Sequence, residues 1–147
     1  MIKEELRKTY FKYLFPIVIL LVFVYLGQLL EIIKQRELEL SRMVSVTILV
    51  LVALFSIALP IFYRALFVNK IKDRKTISVD EFLKFEKKLL VIAMIAPYFI
   101  VITILLNLPG FYYGMVVIIA LYAVYYYFPS EKRIKFEKRL FRISEKQ

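Results

Sequence analysis

The reading of the chain turns on residues 89–130, LLVIAMIAPYFIVITILLNLPGFYYGMVVIIALYAVYYYFPS, a run of 42 from Leu89 to Ser130 without Asp, Glu, Lys or Arg. A helix rises about 1.5 Å per residue, so roughly 20 apolar residues cross a hydrocarbon core of about 30 Å. The run is too long for one crossing. Near its middle, Asn107-Leu108-Pro109-Gly110 is turn chemistry, in which Pro fixes φ and Gly permits a positive φ. Two spans are therefore predicted, 89–106 and 111–128.

Two further charge-free runs lie upstream, 18 residues from Tyr13 to Leu30 and 21 from Met43 to Tyr63. Strands would be about 5–6 residues long with frequent turn signals, and outer-membrane strands would alternate in polarity. These runs do neither, and in lipid a helix satisfies its own backbone. The expected fold class is an all-α membrane protein: four transmembrane helices as two antiparallel hairpins, plus a short amphipathic C-terminal helix. The spans fall at approximately 13–33, 43–63, 89–106 and 111–128 of a single integral membrane domain, with a basic tail over 129–147. The first run is longer than a signal-peptide h-region and lacks a small-residue cleavage site, so an uncleaved span is expected.

Local signals mark the ends. Ser78 and Glu81 have capping-box spacing, flanked by Ile77 and Phe82 as a hydrophobic staple, so the third helix should start near Ser78. Phe82, Leu83, Phe85 and Leu89 give its first turns an apolar side, with Lys84, Lys87 and Lys88 in water. No breaker occurs between Glu31 and Leu40, so helix one should continue through much of that segment. Pro60 and Pro97 each remove an i→i−4 bond and should kink helices two and three. After Pro129, Ser130 can cap a tail helix with Phe136, Leu140 and Ile143 along one side.

Lys and Arg set the orientation. Of 22 in the chain, 19 fall in the N-terminal segment, the 64–88 segment and the C-terminal tail, which share one side if there are four spans. Only Lys34, Arg36 and Arg42 fall on the other. The positive-inside rule then places both termini in the cytoplasm, in a plasma or inner membrane. Tyr and Phe cluster at the predicted interfaces, where Trp is absent. The formal +10 should attract anionic headgroups, and the contacts expected are Arg64, Lys132, Arg133, Lys135, Lys138, Arg139 and Arg142. Nucleic acid is not expected as a partner, because the aromatic rings sit at membrane depth rather than on an open stacking platform.

The inventory also excludes chemistry. Hydrophobic residues make up 61% of the 147, and there is no His and no Cys. Zinc held by His or Cys, His-ligated haem, Ser-His or Cys-His nucleophiles and disulfides are thereby ruled out. The three glycines, Gly27, Gly110 and Gly114, form no phosphate loop, and only Asp73 and Asp80 are available for Asp-based lipid transfer. No enzyme activity, cofactor or metal is expected. No ionisable residue occupies the centre of a span, which disfavours a carboxylate proton relay. The polar positions near or within the membrane are Gln28, Glu31, Tyr98, Thr103, Asn107 and Tyr122. Tyr122, Tyr125 and Tyr126 share a face of helix four and read as a packing seam. The functional expectation is a non-enzymatic scaffold or accessory subunit that self-associates or docks on a membrane complex. The alternative is a small oligomeric channel or carrier for a neutral or lipid-like solute.

Overall fold

The computed structural model describes residues 2–32 and 42–143. Among them the chain is helical, with no strand beyond an isolated bridge between Ile77 and Ile143. Helix α1 spans Ile2–Leu29, α2 Arg42–Ile71, α3 Val79–Leu105, α4 Gly110–Tyr126 and α5 Glu131–Leu140. The first three are long and apolar enough to cross a membrane. A fourth is reached if α4, of 17 residues, is joined to α5 across a 72° bend.

Local chemistry explains most ends. Ser78 caps α3 by accepting from the Glu81 N–H at 3.3 Å, and Ser130 caps α5 by accepting from the Arg133 N–H at 3.2 Å. Replacing Ser78 with Ala should cost about 1 kcal/mol, read as a lower midpoint in detergent-solubilised unfolding, and Ser78→Asp should retain most of it. The α3–α4 turn departs from expectation. Asn107, at φ 50°, takes the left-handed position, while Gly110 is the first helical residue and has no positive φ. The Leu108 N–H donates to the Thr103 carbonyl and the Asn107 N–H to the Ile104 carbonyl, the Schellman pairing that closes a helix end. Asn tolerates this conformation because its short polar side chain suits αL.

Helix one also ends earlier than the absence of breakers implies. The helix stops at Leu29, and Glu31 turns the chain with φ 56°. Its N-terminal end instead runs back to Ile2, well before the apolar run. The segment beyond Ile32, with Lys34 and Arg36, lies outside the described residues.

Both prolines act within continuous helices. The ring of Pro60 crowds the Ser56 carbonyl, and the helix widens into a π turn over Leu54–Ala58, with the Leu59 N–H donating to the Leu54 carbonyl. Around Pro97 the helix tightens. Ala96, Tyr98, Phe99 and Ile100 donate to carbonyls three residues back, so the carbonyl that proline would orphan on Ala93 is taken by Ala96.

The expected first hairpin is not a packed pair. α1 lies chiefly on α3 rather than on α2, and α2 packs on α3 and α4. α1 and α3 run in the same direction: Glu5 pairs with Lys87 near their starts, and the Tyr98 hydroxyl donates to the Tyr13 carbonyl further along. Small residues let the helices approach, with Ala93, Ala96, Ala120 and Ala123 wholly buried.

One end of the bundle gathers three distant parts of the chain. Lys3 pairs with Glu131, Glu5 with Lys87, Arg64 with Glu137 and Arg133 with Glu86. The N-terminal segment, the 64–88 segment and the tail therefore meet at a common basic end.

Candidate functional site

The positions singled out in the sequence divide between the two ends. At the far end, Gln28, Thr103 and Asn107 come together with Tyr25 and Tyr113 around a cavity of about 260 Å³. Thr103 is buried and donates its hydroxyl to the Ile100 carbonyl at 2.7 Å, which leaves Gln28, Asn107 and the two tyrosines as the other polar residues of the lining. The lining is uncharged. Glu31 lies past the end of α1 and is exposed. Tyr98 is not part of this group, since its hydroxyl donates to the Tyr13 carbonyl at 3.2 Å.

At the basic end the sequence missed the decisive partners. Arg64 donates to Glu137 at 2.7 Å, and Arg133 donates to Glu86 at 2.7 Å and to the Tyr127 carbonyl at 2.6 Å. The carboxylate side chains are only 5% and 3% exposed for Glu137 and Glu86. Each guanidinium also lies over a ring, Arg64 over Phe141 and Arg133 over Tyr127. Two cations thus face two anions, linking α2, α3 and α5 and the start of the tail. Arg64 and Arg133, expected at lipid headgroups, are turned onto buried carboxylates. Lys132, Lys135, Arg139 and Arg142 remain exposed, and Lys138 is half-buried.

The missed carboxylates had a readable signal. Glu86 sits four residues after Phe82 and three before Leu89, inside the buried stripe of α3. Glu137 lies three after Ile134 and four before Phe141, on the side of α5 that faces the bundle. An acidic residue in an apolar stripe asks for a cation, and Arg64 and Arg133 answer.

Glu86 precedes the charge-free run that begins at Leu89. Burial pushes its carboxyl up to about 7, against the pull of the Arg133 guanidinium, and the neighbouring Glu137 adds to the rise. Its Oε1 is buried without a hydrogen-bond partner.

Two expected stripes face elsewhere. On α5 the bundle takes Ile134 and Glu137, with Phe141 just beyond, while Phe136 and Leu140 stay exposed beside Lys132, Lys135 and Arg139. On α4 the buried side is Val116, Ala120 and Ala123. Tyr122 stacks on Tyr126 at 5.3 Å between centroids and is 44% exposed, and Tyr125 is 85% exposed, so this face is not a seam within the chain. The smaller alanines win the interior because they permit closer approach than Tyr.

Among the described residues no cluster of acidic side chains could hold a metal ion. Comparison with known proteins finds no matching family model, no similar curated protein and no similar solved structure.

Proposed function

We propose that the chain is a small multi-pass membrane protein that acts as a non-enzymatic scaffold or accessory subunit, by self-association or by docking on a membrane complex. In this reading four crossings place both termini in the cytoplasm of a plasma or inner membrane, with the basic end against anionic lipid headgroups and no nucleic-acid partner. The shared basic end supports the threading, because four crossings bring those three segments to one side.

The observation that carries the proposal is the openness of α1. Only 17% of its membrane-length window is buried inside the chain, against 44% for α3. Lipid offers no hydrophobic drive for helices to associate, so such a face gains packing only by meeting another helix. The middle of the bundle favours a scaffold over a conduit: Val52, Ala93, Met94, Val116 and Ala120 fill it with wholly buried apolar side chains.

The test is the mass of the protein in lipid nanodiscs. A defined oligomer, dissociated by substituting Phe15 and Phe23 on the open side of α1 with Ala, is the expected result. A strict monomer that co-purifies with no stoichiometric partner would remove the proposal. A second reading, a carrier for a neutral solute, is favoured by the uncharged far-end cavity. Flux through proteoliposomes that is lost in Gln28→Leu would install it instead.

A further inference from the structure

A groove opens between α2 and α3 at the basic end. It holds about 510 Å³, a volume in the range of small-molecule sites. Its floor is aromatic: Phe67 stacks on Phe85 at 4.0 Å between centroids, and Tyr63 on Phe85 at 5.5 Å. Its rim is basic, with Lys70 from α2 and Lys84, Lys87 and Lys88 from α3, against one acidic residue, Glu81.

The charges of this rim are unevenly satisfied. Lys70 pairs with Glu81 at 3.0 Å, and Arg74 reaches the same carboxylate at 2.9 Å. Lys87 pairs with Glu5 at 2.5 Å. Lys84 and Lys88 are exposed and have no anionic partner among the described residues. They stand four apart on one helix, where like charges repel. An anion between them relieves a repulsion that the chain leaves in place.

The position fixes the kind of anion. Lys88 is the last charge before the apolar run of α3, so the rim lies where hydrocarbon gives way to headgroups. Beside the groove, Leu66 lines its edge and Phe62 continues outward along α2, both exposed, giving an acyl chain an apolar path. A free phosphate would leave the aromatic floor unused, and a zwitterionic headgroup would leave the lysines uncompensated. The geometry points to one anionic phospholipid of the leaflet at the basic end, its phosphate held at Lys84 and Lys88 and its first chain segment on the floor of Tyr63, Phe67 and Phe85.

This rests on the reading that the basic end meets an anionic leaflet, yet it is separable from it. Diffuse attraction comes from the exposed bases of α5, whereas the groove retains one lipid. The experiment is native mass spectrometry of delipidated protein given phosphatidylglycerol or phosphatidylcholine with the same acyl chains. One phosphatidylglycerol per chain should survive activation that strips phosphatidylcholine. K84Q/K88Q should lower its affinity about thirtyfold, since each of the two well-placed bases contributes on the order of 1 kcal/mol. Both side chains are exposed, so the unfolding midpoint of this variant should match the parent, confirming that the fold is intact. K132Q/K135Q/R139Q should lower the enrichment of anionic lipid around the protein in mixed-lipid nanodiscs while keeping the single retained lipid. Equal retention of the two lipids, or unchanged occupancy in K84Q/K88Q, overturns the site. Displacement by millimolar glycerol phosphate also overturns it, by showing that the apolar floor takes no part. Unchanged enrichment in the α5 variant with the single lipid retained overturns the wider headgroup reading and supports the groove as a separate site.

Discussion

At pH 8, above the range in which Glu86 takes up a proton, Arg133→Ala should destabilise the detergent-solubilised protein by about 3–5 kcal/mol, the cost of leaving a buried carboxylate without its cation and the Tyr127 carbonyl without its donor. Arg133 holds Glu86 and the Tyr127 carbonyl at once, so its loss unties α5 from α3 and from the end of α4. Arg133→Lys should recover only part of the loss, because an ammonium cannot reproduce the planar fork that serves both acceptors. Pairing the change with Glu86→Leu should restore much of it, since well-packed apolar groups often replace a buried ion pair without penalty. A single Arg133→Ala variant within about 1 kcal/mol of the parent would show that the network does not hold the fold.

The same site gives a pH dependence whose sign can be worked out. The Glu86 carboxyl sits near 7 when folded, above its ordinary value of 4.5. Its contribution to stability is therefore fully present below about 4.5 and is lost as pH rises through about 7. The carboxylates paired with lysines act in a different window. Hydrogen bonds from Lys87, Lys70 and Lys3 hold Glu5, Glu81 and Glu131 below the usual carboxylate range, so what they contribute is lost only under more acid conditions. Unfolding midpoints measured between pH 5 and 8 should fall with pH in the parent and flatten in Glu86→Gln. In Arg133→Ala the defect should deepen with pH, because the orphaned carboxyl can take a proton at low pH and cannot at high pH. A parent profile with the opposite slope would contradict the assignment to Glu86.

Phe85→Ala should cost about 3–5 kcal/mol, as expected for removing a buried aromatic ring that its surroundings cannot collapse to fill. Phe85 lies between Phe67 and Tyr63 of α2 and meets Phe141 edge-on at 5.5 Å, so one ring ties α3 to α2 and to the end of the tail helix. Phe85→Leu should keep more than half of the stability, as it retains most of the buried volume. Trypsin cleavage within residues 131–143 reports the same event. It should accelerate in Phe85→Ala, where Phe141 loses one of its three ring neighbours, and stay slow in Phe85→Leu. Equal cleavage rates in Phe85→Ala and the parent would place the anchor of α5 elsewhere.

These effects concentrate where the sequence was least legible. Apolar runs, the Ser78 and Ser130 caps and the turn before Gly110 are local or nearly local properties, and each can be read from a window of residues. Facing is different. Tyr122, Tyr125 and Tyr126 form as regular a stripe as the alanines beside them, yet the alanines are buried and the tyrosines look outward. In a chain that is apolar all round, periodicity no longer tells the protein side of a helix from the lipid side. That α1 packs chiefly on α3 was hidden for a related reason: adjacency in sequence does not by itself choose a packing partner.

What the sequence determined by itself is the helical class, the positions of the apolar runs and the segregation of 19 of 22 bases to three segments. These follow from hydropathy and charge, which each residue carries wherever it is placed. The tertiary structure alone decided that Arg64 meets Glu137 across 73 positions and Arg133 meets Glu86 across 47. It also decided that Asn107, rather than the nearby glycine, turns the chain at the far end. A buried ion pair depends on which helix faces which, and that is settled only when the whole bundle closes around it.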